Sequence, residues 1–132
     1  MTQPTYPLAD HPEAIRARSG RPLSGLTLEA LRTGELAPED VAIHPETLRQ
    51  QAVIADAAGF PHLAANLRRA AELALMPDDK VLALYEALRP YRMTREGLLA
   101  LADEVEREWS AHETARFIRE AAQVYSERGL CE

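Results

Sequence analysis

Several residue types used for cross-linking, phosphate binding or sheet packing are scarce in this chain of 132 residues. Its single cysteine, Cys131, excludes an internal disulfide and any metal site built from several cysteines. Aromatic residues make up only 5% of the chain, which favours closely approaching helices over a sheet core. The six glycines stand apart, so the sequence has no glycine-rich phosphate loop. No apolar run approaches the roughly 20 residues that a membrane-spanning helix needs.

The remaining composition is typical of a soluble globular protein. Hydrophobic residues make up 46% and charged residues 27% of the chain, and its length suits one domain. The net charge of -6 repels DNA and RNA backbones, and we expect no nucleic-acid partner. The first residues lack the cationic start and apolar run of a secretory signal. These features predict a cytoplasmic protein.

The first 26 residues are rich in residues that interrupt helices. Four prolines and two glycines fall within this stretch: Pro4, Pro7, Pro12, Pro22, Gly20 and Gly25. Proline fixes φ and removes a backbone donor, so residues 1–26 are predicted to form an extended arm. The arm also carries apolar residues, among them Tyr6 and Leu8, which a free tail would not need. We therefore expect it to lie on a surface.

Residues 27–132 contain repeated helix start and stop signals and are predicted to form one helical domain. Thr27 and Thr94 are predicted N-caps. Prolines at positions 38, 45, 61 and 77 open four further segments, and glycines at 34, 59 and 129 follow helix ends. His44 precedes the second of these segments and is expected to be a poor cap. The pattern predicts an all-α fold with five main helices in a compact bundle, plus a short helix near residue 28.

Apolar spacing predicts the buried face of each of the last three helices. The first face consists of Val81, Leu84, Tyr85 and Leu88, the second of Leu98, Leu101, Ala102, Val105 and Trp109, and the third of Phe117, Ile118, Ala121, Val124 and Tyr125. The second and third faces lie about 120° apart in helical projection. One straight helix cannot direct both to one core, so a break is predicted at Ser110, which with Glu113 also matches a capping box.

Residues suited to catalysis or metal binding occur, but no constellation emerges. The histidines are scattered at positions 11, 44, 62 and 112, without the spacing of a metal site. Asp78 and Asp79 are adjacent on a helix and point about 100° apart, which suits the helix dipole better than acid–base chemistry. Cys131 has no base nearby in sequence that would activate it. We therefore expect no catalytic, cofactor-binding or metal-binding residue in this chain.

One helix break, in the stretch EALRPYRMTREG over residues 86–97, gathers arginines around a tyrosine. Arg89, Arg92 and Arg95 could bind a phosphate or a nucleic acid, or could dock with Tyr91 on another protein. The flanking glutamates and the acidic chain favour protein docking and make nucleic acid the weakest alternative. It stays open whether Arg89 instead caps its own helix and Tyr91 fills the core. The candidate partner-binding residues are Tyr6, Leu8, Arg89, Tyr91 and Arg92.

Four segments follow one another in the order and spacing of a known family. They are YPLADHPE, HPETLRQQAVIADAAG, NLRRAAELALMPDDKVLALYEALRPYR and FIREAAQVYSERG. Over residues 6–128 the chain resembles the small (gamma) subunit of adenosylcobalamin-dependent diol dehydratase and glycerol dehydratase. The stretch from Ala70 to Arg92 is the most specific part of this resemblance.

The resemblance implies a non-catalytic subunit needed for the assembled enzyme, in a dimer of three-chain units. In that family a large (alpha) subunit holds substrate and a metal ion in a TIM barrel, and adenosylcobalamin lies between the large and medium (beta) subunits. The enzyme dehydrates 1,2-propanediol or glycerol to an aldehyde by radical chemistry, and the sequence does not indicate which diol is preferred. A stand-alone helical protein–protein adaptor on the same scaffold is the alternative function, and an isolated helical enzyme a weaker one.

The chain departs from the family's usual pattern near its start. Some members carry a long N-terminal extension linked to packaging in bacterial microcompartments, whereas only five residues precede Tyr6 here. The resemblance is therefore closer to the unpackaged glycerol-dehydratase type. Any association with a microcompartment is expected to depend on a partner subunit.

Overall fold

The structure, a computed structural model, describes residues 3–132. Within them lie seven α-helices and no strand: α1 (Leu28–Arg32), α2 (Pro38–Val41), α3 (Pro45–Ala57), α4 (Pro61–Leu73), α5 (Asp78–Ala87), α6 (Arg95–Trp109) and α7 (His112–Arg128). The helices α3 to α7 each have ten or more residues. The prediction of an all-α fold with five main helices is confirmed.

Local capping chemistry explains most helix starts. The Thr27 hydroxyl accepts a hydrogen bond from the Ala30 N–H at 3.1 Å, and the Thr94 hydroxyl accepts one from the Gly97 N–H at 3.0 Å. Proline occupies the first turn of α2, α3 and α4, where its missing N–H costs nothing. The expectation that His44 caps poorly is wrong, because its Nδ1 accepts a hydrogen bond from the Glu46 N–H at 3.1 Å. A neutral imidazole nitrogen can replace a hydroxyl here because it too is an acceptor.

Backbone contacts divide the chain into two compact units, one up to Ala74 and one from Leu75 onward. In the first unit the residues before α1 form three short 3-10 turns, at Leu8–Asp10, Pro12–Ala14 and Leu23–Gly25. The Arg18 N–H donates to the Ala42 carbonyl at 2.9 Å, which joins this segment to the end of α2. The sequence-based boundary between an arm of residues 1–26 and a domain of residues 27–132 stays a prediction.

Small residues let α3 and α4 pack closely in the first unit. The buried contact consists of Ala52 and Ala55 from α3 and Ala64 from α4, with Leu67 packed against it. Gly59, at φ +85°, lies in the short connection between the two helices. Because alanine extends only one carbon from the backbone, the two helix axes can approach closely along this line.

The second unit contains the hairpin of α6 and α7. Ser110 ends α6 in the left-handed conformation at φ +51°, which reverses the chain, and the predicted break is confirmed. The buried residues of α6 are Leu98, Ala102 and Val105, and those of α7 are Thr114, Ala115, Ile118 and Ala122.

Two aromatic residues predicted to be buried are exposed instead. Tyr85 of α5 is 62% exposed and Phe117 of α7 is 41% exposed. On α7 the buried line runs through Ala115, Ile118 and Ala122, so helical rotation directs Phe117 towards its edge. The prediction that these two aromatic side chains are core residues is wrong, because Leu84 takes the inner position on α5 and the line through Ala115, Ile118 and Ala122 takes it on α7.

Candidate protein-docking surfaces

The first candidate surface is an apolar groove beside the N-terminal arm. Its volume is about 540 Å³, and it is lined by Tyr6, Leu8, Gln51, Ile54, Ala55, Ala58, Phe60, Leu63 and Leu67. The structure thus brings the two predicted arm residues, Tyr6 and Leu8, together against α3 and α4. Tyr6 is 84% and Phe60 is 60% exposed, so the groove leaves aromatic area open to solvent.

Among the described residues 3–132, no charged side chain lines this groove. Near its α3–α4 side, Arg68 forms an ion pair with Asp56, which occupies both charges within the chain. The groove therefore offers apolar contact area and little polar recognition. Such a surface suits apolar side chains of a partner better than a phosphate or a charged metabolite.

A buried carboxylate fixes the loop that follows the arm's first turns. Asp40, which is 8% exposed, accepts hydrogen bonds from the Ser19 hydroxyl at 2.6 Å and from the Ala37 N–H at 2.7 Å. The Arg21 Nε lies 3.3 Å from its Oδ1. The hydrogen bond from Ser19, followed by that from Ala37, lowers the pKa of Asp40, while burial opposes the shift. Asp40 therefore stays ionised and holds residues 19–21 against α2.

The second candidate surface is the corner after α5, where Glu86 binds two arginines. Arg89 Nη1 lies 3.1 Å from Glu86 Oε2, and Arg92 Nε lies 3.1 Å from Glu86 Oε1. One carboxylate thus orients both guanidinium groups and offsets part of their charge. This arrangement disfavours phosphate binding, because an incoming phosphate would have to compete with Glu86 for both.

Tyr91 protrudes from this corner in an uncommon backbone conformation. Its φ is +62°, a left-handed value that is unfavourable for a residue with a bulky side chain, and Tyr91 is 63% exposed. The alternative that Tyr91 fills the core is therefore wrong. Its N–H donates to the Leu130 carbonyl at 2.8 Å, so the C-terminal tail holds the corner in place.

Tyr125 of α7 supports the same corner from the other side. Its hydroxyl donates to the Leu88 carbonyl at 2.6 Å, at the C-terminal end of α5. That hydrogen bond satisfies one of the carbonyls that a helix end leaves without an intrahelical donor. The Glu132 N–H adds a hydrogen bond to the Met93 carbonyl at 3.0 Å. Arg89, Tyr91 and Arg92 thus share one braced corner of the second unit.

Sequence reasoning missed an apolar strip on the outer side of α5. Leu82 is 68% exposed, and Tyr85, which the helical pattern assigned to the core, is 62% exposed. The buried residue of this helix is Leu84, on the opposite side. A signal was present in the sequence, since Leu82 is a leucine that falls outside the predicted stripe.

Charged side chains also join α6 to α7. Arg119 Nη2 lies 2.5 Å from Glu106 Oε2 and 2.7 Å from Asp103 Oδ1, and His112 Nδ1 lies 3.0 Å from Glu106 Oε1. The hydrogen bond from Arg119, followed by that from His112, lowers the pKa of Glu106, and the two carboxylates raise that of Arg119. The groups lie on the exterior of a helix pair, and they stabilise the hairpin.

Among residues 3–132 no three histidine, cysteine, aspartate or glutamate side chains converge into a metal-binding group. None of the helices described is both long enough and apolar enough to cross a bilayer.

Comparison with known proteins assigns the chain to a family. The profile described as Dehydratase small subunit matches residues 1–131. The chain is 49% identical over 124 residues to the propanediol dehydratase small subunit of Salmonella typhimurium (strain LT2), which covers 93% of this chain and 72% of that protein. It is 48% identical to the propanediol dehydratase small subunit of Citrobacter freundii, with the same coverage of both chains. The chain belongs to the dehydratase small subunit family.

Proposed function

We propose that this chain is the small subunit of a coenzyme B12-dependent diol dehydratase and supplies contact surface rather than catalytic groups. The observation that carries the proposal is the near-complete match to curated propanediol dehydratase small subunits, at 49% and 48% identity. The assembled enzyme would convert a vicinal diol, such as 1,2-propanediol or glycerol, to an aldehyde and water. Its substrate preference would depend on residues in another subunit.

The large and medium subunits are the proposed partners, and adenosylcobalamin is proposed to bind to them. The groove beside the arm does not suit the coenzyme, because a corrinoid carries amide side chains that need polar partners. The groove beside the arm is lined almost entirely by apolar side chains.

Docking is proposed to use the two surfaces that contain Tyr6 with Leu8 and Arg89 with Tyr91 and Arg92. Exposed tyrosine and arginine side chains contribute strongly to protein interfaces because they bury large areas while retaining polar contacts. The corner is also held in one conformation, since Glu86 orients both arginines. Less conformational entropy is then lost on binding.

Co-expression with the large and medium subunits tests the proposal. This chain should co-purify with the large and medium subunits. Coenzyme-dependent aldehyde formation, measured with both diols, should require it. Arg92→Ala should weaken co-purification, whereas Arg49→Ala is a matched control, because both side chains are about half exposed and each pairs with one glutamate. Full activity without this chain would contradict the function, and unchanged assembly of Arg92→Ala would contradict the corner's role alone.

A further inference from the structure

The outer side of α5 combines exposed apolar area with opposite charges at its two ends. Leu82 and Tyr85 are 68% and 62% exposed. At about 100° per residue, Asp78, Leu82 and Tyr85 fall within about 60° of one another around the helix. Asp78 lies at the acidic start of α5, and Arg89 lies just past its end.

The order of these four residues is self-complementary. The midpoint between positions 82 and 85 and the midpoint between positions 78 and 89 both fall between residues 83 and 84. If a second α5 packs antiparallel about a twofold axis at this point, the Tyr85 of each copy would therefore contact the Leu82 of the other. The same axis brings Asp78, at the start of the helix, opposite the Arg89 of the other copy, which lies just past the helix end. A twofold contact needs this reciprocity.

The charges at the two ends are opposite in sign, and in such a contact Arg89 would exchange Glu86 for Asp78 of the second copy. Lys80, two positions after Asp78, pairs with Glu104, so it does not neutralise Asp78. At the other end Arg89 and Arg92 share the single carboxylate of Glu86, which leaves a net positive corner.

We infer that the unassembled chain forms a twofold dimer through the outer side of α5, with Leu82 packed on Tyr85 and Asp78 paired with Arg89 of the second copy. Each copy contributes few residues, compared with roughly 20–30 in a standard interface, so the dimer is weak and rapidly reversible. Arg89 also belongs to the corner proposed to dock on partner subunits, so assembly would displace the dimer. The inference goes beyond the proposed function and does not depend on it.

Sedimentation equilibrium of the purified chain, from about 10 µM to about 1 mM, tests the inference. The average mass should rise from monomer towards dimer over this range. Asp78→Arg and Arg89→Asp should each raise the dissociation constant by about tenfold or more, because like charges then face each other. The double variant carrying both changes should recover to within about threefold of the original chain, since the pair is restored with its signs exchanged.

Asp79→Arg is the matched control, because it makes the same charge change in the same turn about 100° away from the strip. It should change the dissociation constant by less than about twofold, while Leu82→Ser should weaken the dimer with all charges in place. Circular dichroism of each variant checks that the fold is retained. A chain that stays monomeric throughout, a double variant that does not recover, or an Asp79→Arg effect equal to that of Asp78→Arg overturns the inference. The inference would also be overturned if the chain alone stays monomeric and the double variant no longer co-purifies with the large subunit. That result would assign the strip to contact with the large subunit.

Discussion

Two leucines in the second unit allow one chemical change to be compared at a buried and an exposed site. Leu98 of α6 is 0% exposed, whereas Leu82 of α5 is 68% exposed. Burying a leucine completely contributes about 1.5–3 kcal/mol, and the cavity left by truncation raises the cost of Leu98→Ala to about 3–5 kcal/mol. Leu82 has only a third of its surface to lose, so Leu82→Ala should cost less than about 1 kcal/mol, partly offset by alanine's better helix propensity.

Urea unfolding measured by the fluorescence of Trp109 provides the assay. This is the only tryptophan of the chain and lies at the end of α6, so it reports on the unit that contains both leucines. Measurements at low protein concentration keep self-association from adding to the free energy of unfolding. Equal losses of stability in the two variants would refute the assignment of Leu82 to the outer side of α5.

Three further outcomes are expected. Tyr125→Phe should lower the free energy of unfolding by about 1 kcal/mol in the same urea assay, because the Leu88 carbonyl loses its donor. Ser110→Gly should leave the fold intact and raise the free energy of unfolding by up to about 1 kcal/mol, seen as a higher urea midpoint, because glycine adopts the left-handed conformation without the Cβ penalty. Stability followed by circular dichroism should fall below about pH 4, because the pKa values of Asp40 and Glu106 are lower in the folded chain than in the unfolded one.

The sign of the pH effect follows from the direction of these shifts. A carboxylate whose folded-state pKa is lowered stabilises the fold above its unfolded-state pKa, and this contribution is lost as the pH falls through the folded-state pKa. Asp40→Asn should therefore flatten the acid branch of the curve, while Asp79→Asn, on an exposed carboxylate of α5, serves as the control. An acid branch unchanged by Asp40→Asn would contradict the role given to Asp40.

Helix boundaries were predictable from sequence because they depend on chemistry within one turn. Thr27 and Thr94 cap as their side chains allow, and the prolines open helices because only their first turn tolerates a missing donor. The capping role of His44 was misjudged. Histidine is uncommon as an N-cap, but a cap needs only a hydrogen-bond acceptor at the right distance, and the His44 Nδ1 is one.

Which side of a helix is buried was harder to predict. Hydrophobicity favoured Phe117 of α7 as a core residue over alanines, yet Ala115 and Ala122 are fully buried there. Small residues are buried where two helices pack closely. The distance between the helix axes depends on both helices, so it cannot be predicted from the pattern of one helix alone. For Tyr91 the sequence left open whether the side chain is buried, and its backbone is bonded to the Leu130 carbonyl, 39 positions further along the chain.

The alanine contact between α3 and α4 determines how this hairpin can diverge in sequence. Ala52 and Ala64 are 0% exposed, so neither position has room for added carbons. Enlargement to leucine would force the helices apart and change the width of the groove whose wall includes Ala55. Side-chain volume, rather than hydrophobicity, therefore limits which substitutions the alanine contact between α3 and α4 tolerates. Residues that line the groove can change only while this contact keeps its small residues.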